Sequence, residues 1–460
     1  MNLTYAPGAP VYAAATSTRG RWAGDRFLFW FGLLLAAYAL LGRPAAYVGV
    51  PPLFVGEVVL VWGVATAARF GRLGPVLGQP AAGLLLALFA LTLVRTVPYL
   101  GAYGLDAPRD AMQVGYGAFA LVVGALVVAR PERLAAAVAG YGRFVPVFVG
   151  ALWLLYLVSK LAESAIPELP WAPGVLALDV KGGDALVHLC GVAVFLWVGL
   201  GARTPALVGL LVLNTGVVMV SNRGGMVAFA LGCAVAWALR PPTARAGRFV
   251  YAFAVFVVLG LVVGPTVEIH GGGREISVEQ VWVNVQSVFG QGGEHLDGTK
   301  EWRLAWWEEI WAYTVGGDYF WTGRGFGINL AEADGFDVSE TLRSPHNGHM
   351  TILARLGVPG ALLWAALQLT WAAGLLRQWV AARRAGRTRW MAVFAWLGAY
   401  WTAAHVNAAF DVYLEGPMGG VWFWSVFGMG LAAAWAHAHR PDVLPEPAPP
   451  EPPPPPRWAW

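Results

Sequence analysis

The sequence predicts an all-α polytopic membrane protein with about twelve transmembrane helices. Hydrophobic residues make up 57% of its 460 residues and charged residues only 13%, whereas soluble domains carry about 25% charged residues. Apolar runs of membrane-spanning length recur along the chain. Basic residues are concentrated in alternate loops between these runs, as the positive-inside rule requires. The net charge of +4 is spread over short loops, so the sequence predicts a lipid bilayer as partner and no nucleic acid.

The predicted membrane helices form two groups separated by a long polar segment. The first nine lie at about residues 27–41, 45–67, 79–94, 111–129, 144–160, 185–201, 205–220, 224–239 and 249–266. The last three lie at about residues 347–376, 390–412 and 419–437. The first and third runs are short for a hydrocarbon layer about 30 Å thick.

Charge patterning predicts that both termini are cytoplasmic. Arginines occupy the N-terminal tail and every second loop, whereas the opposite loops carry acidic residues such as Asp106 and Glu415. The predicted divisions are a cytoplasmic tail at 1–26, nine helices at 27–266, an outer loop at 267–345, three helices at 346–438 and a proline-rich, disordered cytoplasmic tail at 439–460.

Nothing in the sequence indicates a metal or a cofactor. Both cysteines, Cys190 and Cys233, fall in apolar runs, so we expect no disulfide framework and no thiolate metal site. His346 and His349 are one helical turn apart, but neighbouring sequence supplies no third ligand. We therefore expect no metal, no cofactor and no nucleotide site.

The outer loop contains two predicted amphipathic helices and a glycine-rich turn. The helices are Glu279–Phe289 and Glu301–Tyr313, which we expect to lie on the membrane face. In the second helix, Arg303, Trp307 and Trp311 fall on one stripe. The glycine-rich turn, Gly323–Gly327, has glycine at alternate positions, which suits a close approach of the backbone to another group.

A polar motif, Ser344–His349 (SPHNGH), stands where the outer loop meets the tenth helix. Ser344 can cap that helix and Pro345 suits its first position, which would place His346 and Asn347 in the first turn. A helix N-terminus favours anions and keeps an imidazole neutral. His346 is therefore a candidate general base. The alternative is a polar residue that only marks the water boundary.

Three arginines are further candidates. Arg223 follows the short outer turn Ser221–Asn222 and precedes two glycines, a setting in which its guanidinium can grip a phosphate. The alternative role of Arg223 is contact with lipid headgroups. Arg303 is the second candidate, and its alternative role is a surface ion pair with a glutamate. Arg355 lies inside the tenth helix, so we expect a buried structural pair with Asp411 or Glu57.

The predicted eleventh helix also carries a group of polar residues. Asn407 and Asp411 share one face, with His405 near them. They are expected to line the same cavity or to form an internal hydrogen-bonded network.

These motifs resemble, in order, those of the O-antigen ligase and polymerase superfamily. The resemblance rests on Ser221–Gly225, on Thr299–Trp307 with Arg303, on the glycine-rich turn, and on Ser344–Asn347 followed by Leu353, Gly357 and Gly360. It covers most of the chain, with its specificity in residues 205–420. One departure is Asn222, where the family often has serine directly before the arginine.

The resemblance implies a metal-independent, inverting glycosyltransferase of class C architecture. Such an enzyme moves a glycan from undecaprenyl diphosphate to a lipid A core or another surface-polysaccharide acceptor, at the outer face of the bacterial cytoplasmic membrane. The implied catalytic residues are His346, Arg303 and Arg223. The implied substrate-binding residues are Asn347, Arg324, Ser221, Trp307 and Gly325.

Other activities remain open at this level. A polymerase of lipid-linked repeat units and a protein O-oligosaccharyltransferase share these motifs, because the donor is common and only the acceptor differs. Outside the family the alternative is a twelve-helix transporter, but the chain lacks the two similar halves typical of that class.

Overall fold

The computed structural model describes residues 18–50, 53–219, 222–244, 269–271, 274–276, 294–336 and 342–446. The α-helices are α1 (Thr18–Leu41), α2 (Arg43–Ala46), α3 (Val55–Phe70), α4 (Leu73–Leu77), α5 (Pro80–Thr96), α6 (Leu100–Tyr103), α7 (Asp106–Gly115), α8 (Ala118–Ala129), α9 (Glu132–Leu161), α10 (Gly182–Trp197), α11 (Pro205–Met219), α12 (Arg223–Leu239), α13 (Glu294–Thr314), α14 (Leu330–Ala333), α15 (Gly348–Arg384), α16 (Thr388–Ala408) and α17 (Pro417–His439). Short 3₁₀ turns occupy Val97–Tyr99, Glu163–Ala165 and Pro441–Val443.

Strands are few and short in the described ranges. They form three antiparallel hairpins, in which β1 (Gly49–Val50) pairs with β2 (Leu53–Phe54), β3 (Glu168–Leu169) with β4 (Ala172–Leu176), and β5 (Ile269–Gly271) with β6 (Arg274–Ile276). The predicted all-α class is therefore confirmed.

Every predicted apolar run but one contains helix, although the second run, 45–67, includes the β1–β2 hairpin before α3 begins at Val55. The exception is 249–266, which lies outside the described residues, as does the predicted amphipathic helix Glu279–Phe289. α1 begins at Thr18, earlier than the apolar run it contains. The fourth run is split between α7 and α8.

Six helical segments of the described chain are long and apolar enough to cross a membrane. They are Trp22–Leu41, Pro80–Tyr103, Asp106–Ala129, Glu132–Leu161, Gly348–Arg384 and Pro417–His439. Three shorter apolar helices accompany them, at Gly182–Trp197, Pro205–Met219 and Gly224–Leu239. The protein is thus a polytopic membrane protein, and the full count of about twelve spans stays a prediction.

The bundle has a buried centre and an apolar exterior. α10 is buried along nearly its whole length and packs against α12 and α16, while α17 packs on α8 and α15 on α5. Outer helices expose large apolar side chains, for example Val61 (70% exposed), Leu93 (63%) and Val147 (58%). Such faces suit a hydrocarbon surrounding rather than water.

Loops that the charge pattern assigns to the same side of the membrane do contact each other. On one side, Arg133 Nε lies 2.8 Å from Asp25 Oδ1, and Arg440 Nη2 lies 3.2 Å from Glu132 Oε1. On the other side, Trp171 donates to the Tyr47 carbonyl at 2.6 Å. Which of the two faces is cytoplasmic stays a prediction.

Helix α15 is broken at Gly357, where φ is 68° and ψ is −169°. The break leaves carbonyls of the preceding turn without intrahelical partners, a situation that membrane helices must compensate. Backbone N–H groups of the glycine-rich turn supply the compensation: Arg324 donates to Ala354 at 2.7 Å and Gly325 to Arg355 at 3.0 Å. The glycine-rich turn, Gly323–Gly327, is thereby attached to a membrane helix.

Helix α13 is present as predicted but buries a different stripe. Trp306 and Ile310 are fully buried and pack in one cluster with Leu353 and Ala354 of α15. Trp311, which the sequence analysis placed on one stripe with Arg303 and Trp307, is 59% exposed. The stripe of α13 that packs on α15 is therefore a different one, and contact of the predicted stripe with the membrane face stays a prediction.

Candidate functional site

His346 does not lie in the first turn of a helix. α15 begins at Gly348, and its cap is Asn347, whose Oδ1 accepts from the backbone N–H groups of His349 at 3.0 Å and Met350 at 3.1 Å. The predicted cap at Ser344 is therefore wrong, because the asparagine side chain satisfies the free N–H groups instead. His346 precedes the cap with φ of 51°, the one positive φ among the described non-glycine residues.

Asp411, on the turn between α16 and α17, faces the His346 imidazole. Its Oδ1 is 3.6 Å from His346 Nδ1, and the two side chains are 21% and 28% exposed. Burial opposes ionisation of Asp411, but His346, the Lys181 ammonium and the Val412 backbone N–H outweigh burial and lower its pKa to about 2. A carboxylate ionised at neutral pH therefore stands beside His346 Nδ1.

Helix α13 closes one side of this pair. Arg303 Nη1 donates to the Phe410 carbonyl at 3.0 Å, next to Asp411 in the chain, and Trp307 Nε1 donates to the Pro345 carbonyl at 3.0 Å. Burial lowers the pKa of Arg303, and Asp411 opposes that change. An arginine still keeps its charge, and Arg303 Nε has no hydrogen-bond partner in the described part of the chain.

Lys181 is a site residue that the sequence analysis missed. Its Nζ lies 3.9 Å from Asp411 Oδ1, the same oxygen that faces His346. Beside it, Asn407 Nδ2 donates to Asp184 Oδ1 at 3.3 Å, which agrees with the expected polar network on α16. The only signal in the sequence was a lysine immediately before a predicted membrane helix.

Glu415 holds the chain around the Ser344–His349 motif through hydrogen bonds. Its Oε1 accepts from Thr351 Oγ1 at 2.7 Å, and Ser344 is a further hydrogen-bond partner. Burial raises the pKa of Glu415, although these two hydrogen bonds and the Arg355 charge oppose that rise. Glu415 therefore ties the chain on both sides of His346 to the turn that carries Asp411.

The beginning of α12 borders the same turn. Asn222 caps α12 by accepting from the Gly225 N–H at 2.6 Å. An added Cβ on Gly224 would lie 2.6 Å from the Phe410 Cβ. Ser221 and the side chain of Arg223 lie outside the described residues, so the structure locates the Arg223 backbone, at the start of α12, but not its guanidinium.

Arg324 and Gly325 are engaged within the protein. Arg324 Nη2 pairs with Asp334 Oδ1 at 2.9 Å, and its guanidinium carbon lies 4.3 Å from the centre of the Tyr313 ring. Gly325 has φ of 79°, and an added Cβ would lie 2.2 Å from Tyr99 Cε2. The close approach that the glycine pattern predicts is thus to the protein itself.

Arg355 has a structural partner, as expected, but the partner is Asp110. Arg355, 3% exposed, lies 3.0 Å from Asp110 Oδ2, which is also 3.0 Å from Arg343 Nη2. The predicted partners were wrong, since Asp411 faces His346 and Glu57 accepts from Tyr116 Oη at 3.0 Å. The charge of Arg355 is therefore neutralised away from His346.

His349 is part of an internal aromatic network. Its Nε2 donates to the His405 carbonyl at 3.0 Å, its Nδ1 accepts from Trp364 Nε1 at 3.1 Å, and its ring stacks on that of His405. Both ring nitrogens are thus occupied, which leaves His346 as the histidine of the motif that can exchange a proton with a substrate.

The comparisons with known proteins find one family that matches part of the chain. A family model described as O-antigen ligase matches residues 205–365, which include Arg223, Arg303 and His346. No curated protein matches the chain. The match supports a membrane glycosyltransferase of the O-antigen ligase or polymerase type, acting in polysaccharide biosynthesis in a bacterial membrane. It covers less than half of the chain and supports a place for this protein in the O-antigen ligase superfamily.

Proposed function

We propose that this protein transfers a glycan from undecaprenyl diphosphate to a hydroxyl of an acceptor, at the outer face of the cytoplasmic membrane. The observation that carries the proposal is His346, held in a left-handed backbone conformation beside Asp411, with Arg303 bound to the adjoining carbonyl. Strained backbone concentrates at functional sites, where it forms part of the mechanism.

His346 acts as the general base. Its Nδ1 lies 3.6 Å from the Asp411 carboxylate, which favours a proton on Nδ1 and leaves Nε2 to take one from the acceptor hydroxyl. Asp411 orients the ring and stabilises the imidazolium that forms. Its pKa of about 2 keeps it ionised at neutral pH, so it holds this role throughout the physiological range.

The arginines bind the departing diphosphate. The acceptor oxygen bonds to the anomeric carbon while the bond from that carbon to the diphosphate oxygen breaks. Negative charge then grows on the diphosphate, and preorganised cations stabilise it. Arg303 and Arg223 are suited to this role because a guanidinium pairs bidentately with phosphate oxygens. A single displacement inverts the anomeric centre and requires no metal.

The remaining predictions complete the proposal. Both termini are cytoplasmic, residues 267–345 form the large outer loop, and Trp307 and Asn347 shape the substrate site through the backbone on either side of His346. We favour a lipid A core or another surface-polysaccharide acceptor. Polymerisation of lipid-linked repeat units and transfer to protein hydroxyls use the same donor chemistry and differ only in the acceptor.

The test is release of undecaprenyl diphosphate from a labelled lipid-linked glycan by the purified protein, with and without a lipid A core acceptor. A core-dependent product indicates a ligase, and longer lipid-linked glycans without the core indicate a polymerase. We expect His346→Ala to lower kcat by about 10²–10⁴-fold. Asp411→Asn should lower kcat less, with little change in the KM for donor.

The matched control is His439→Ala, because His439 is exposed and lies at the far end of α17. It should leave turnover unchanged. A His346→Ala variant within a few-fold of wild type would contradict the base assignment. No release of diphosphate with any donor and acceptor, combined with flux of substrate across vesicles, would favour a transporter.

A further inference from the structure

We propose that Lys181 is a third cation of the donor site and binds the diphosphate of the lipid-linked glycan directly. This role rests on the proposed function, since it assigns a ligand contact within that site. The juxtaposition that supports it is the shared carboxylate oxygen, Asp411 Oδ1, which lies 3.9 Å from Lys181 Nζ and 3.6 Å from His346 Nδ1. The ammonium and the imidazole therefore lie within 4 Å of the same carboxylate oxygen.

Lys181 occupies a position that is unfavourable for a cation unless an anion joins it. It is the N-cap residue of α10, and its side chain makes no capping hydrogen bond. A helix N-terminus already carries partial positive charge, so a lysine there is destabilising. The neighbouring helix α12 also begins with a basic residue, Arg223, and has no acid in its first turn, whereas α10 has Asp184 in its first turn. Two helix ends with added basic residues thus adjoin one turn of the chain.

The acids around Lys181 do not use up its hydrogen-bonding capacity. At 3.9 Å from Asp411, Nζ is beyond hydrogen-bond distance. Burial lowers the pKa of Lys181, while Asp411, Asp184 and Asp179 raise it and Arg43 lowers it, with a net rise. Lys181 is therefore charged.

The two other acids have partners of their own. Asp179 Oδ1 lies 3.7 Å from Lys160 Nζ, and Asp184 Oδ1 accepts from Asn407. Among the residues that the structure describes, Asp411 is thus left as the carboxylate that faces Lys181, His346 and Arg303 together.

The ligand that fits this cation set is a diphosphate. A single carboxylate offers one negative charge to several cations, whereas a diphosphate offers more charge and several oxygens over a longer span. Lysine donates three N–H bonds in adjustable directions, so Lys181 can turn from Asp411 to a phosphate oxygen without a backbone movement. A monophosphate reaches fewer of the cations and should depend less on Lys181.

The experiment measures binding of undecaprenyl diphosphate, without a glycan, to the full-length protein, and compares it with undecaprenyl monophosphate. Wild type, Lys181→Met, Lys181→Arg and Lys160→Met are tested. Lys160 is the matched control because it is a lysine of similar exposure, 33% against 34%, paired with Asp179 instead of Asp411.

We expect Lys181→Met to weaken diphosphate binding by about 10- to 100-fold, the range for a lost hydrogen bond to a charged group. Monophosphate binding should weaken less, Lys181→Arg should retain most of the affinity, and Lys160→Met should match wild type. In turnover, Lys181→Met should raise the KM for donor.

Three results would contradict these proposals in different ways. If Lys181 acted only by keeping Asp411 ionised, Lys181→Met would shift the acid limb of the pH–rate profile and leave diphosphate affinity within about twofold of wild type, which would overturn the direct contact. Wild-type protein that binds the lipid diphosphate yet never transfers a glycan would refute the proposed function alone. Wild-type protein that binds neither lipid would refute both.

Discussion

At the scale of single residues, the conformation of His346 is maintained by its neighbours. A non-glycine residue with φ of 51° costs about 1–3 kcal/mol unless the surroundings impose it. The Pro345 carbonyl is held by Trp307, and Asn347 is held by the helix it caps. Ser344 is buried against Glu415. Contacts on both sides thus fix the turn and present the imidazole to Asp411.

Gly325 and Gly335 allow the cost of backbone strain to be separated from the cost of side-chain crowding. Their φ values are 79° and 77°, but an added Cβ at Gly325 would lie 2.2 Å from Tyr99 whereas one at Gly335 would meet nothing within 4 Å. We expect Gly335→Ala to cost about 1–2 kcal/mol from the backbone alone. Gly325→Ala should cost about 1–3 kcal/mol more from overpacking.

Thermal unfolding of the two variants in detergent checks this prediction, with wild type as the reference. Equal losses of stability would mean that the Tyr99 ring moves aside freely and that the glycine-rich turn is not fitted against it. A larger loss for Gly325→Ala, with the donor KM unchanged, would identify Gly325 as a packing residue rather than a substrate contact.

At the scale of elements, two features connect α13 and the glycine-rich turn to the membrane bundle. One is the break in α15 at Gly357, whose exposed carbonyls accept from the glycine-rich turn. The other is the buried stripe of α13, which packs on α15 and thereby places Arg303 and Trp307 above His346. The candidate site therefore depends on how α13 docks on the membrane helix α15.

Trp306 and Trp311 test that docking. Trp306 is fully buried and donates to Asp334 Oδ2 at 2.8 Å, whereas Trp311 is 59% exposed. We expect Trp306→Ala to destabilise α13 by about 3–5 kcal/mol, as for other buried large-to-small changes. Trp311→Ala should stay within about 0.5 kcal/mol of wild type.

Limited proteolysis within α13, followed together with glycan transfer, measures this difference. Trp306→Ala should be cleaved faster and should lose activity, because Arg303 leaves the Phe410 turn. Rapid cleavage of Trp311→Ala instead would show that the exposed stripe carries the contact and that the assignment of the buried face is incorrect.

At the scale of the whole molecule, Asp110 joins three separate parts of the chain. Its carboxylate lies on α7 and contacts Arg355 of α15, Arg343 before the histidine motif, and the Gly327 N–H at 3.3 Å. The side chains of Asp110 and Arg355 are 9% and 3% exposed. This buried cluster therefore holds the chain at Gly327 and Arg343 against both α7 and α15.

Asp110→Asn and Asp106→Asn form a matched pair of substitutions. Removing the Asp110 charge leaves Arg355 buried without a counter-ion, so we expect a loss of about 3–5 kcal/mol. Asp106 is 42% exposed and pairs with Arg109 at 3.0 Å, so its loss should cost about 0–1 kcal/mol. Thermal unfolding in detergent measures both losses of stability. An Asp110→Asn protein as stable as wild type would mean that Arg355 finds another partner.

Much of the whole-molecule architecture was predictable from the sequence. Membrane class, the helical runs and the grouping of loops by side follow from hydropathy and charge, because the bilayer imposes the same requirement on every span wherever it packs. The order of the motifs, ending with the one that contains His346, was likewise visible in the linear chain. Helix α13 was recognised from its composition, although the sequence did not indicate which of its stripes packs on α15.

Only the tertiary structure decided which of the candidate residues meet. It brings Lys181 and Asp411 to His346 from distant parts of the sequence, assigns Arg355 to Asp110, and commits Arg324 and Gly325 to internal contacts. Hydropathy is a property of each segment in its solvent, whereas an ion pair depends on which helices pack together. The sequence by itself therefore determined the membrane class and the motifs, and long-range packing determined the partners of each charge.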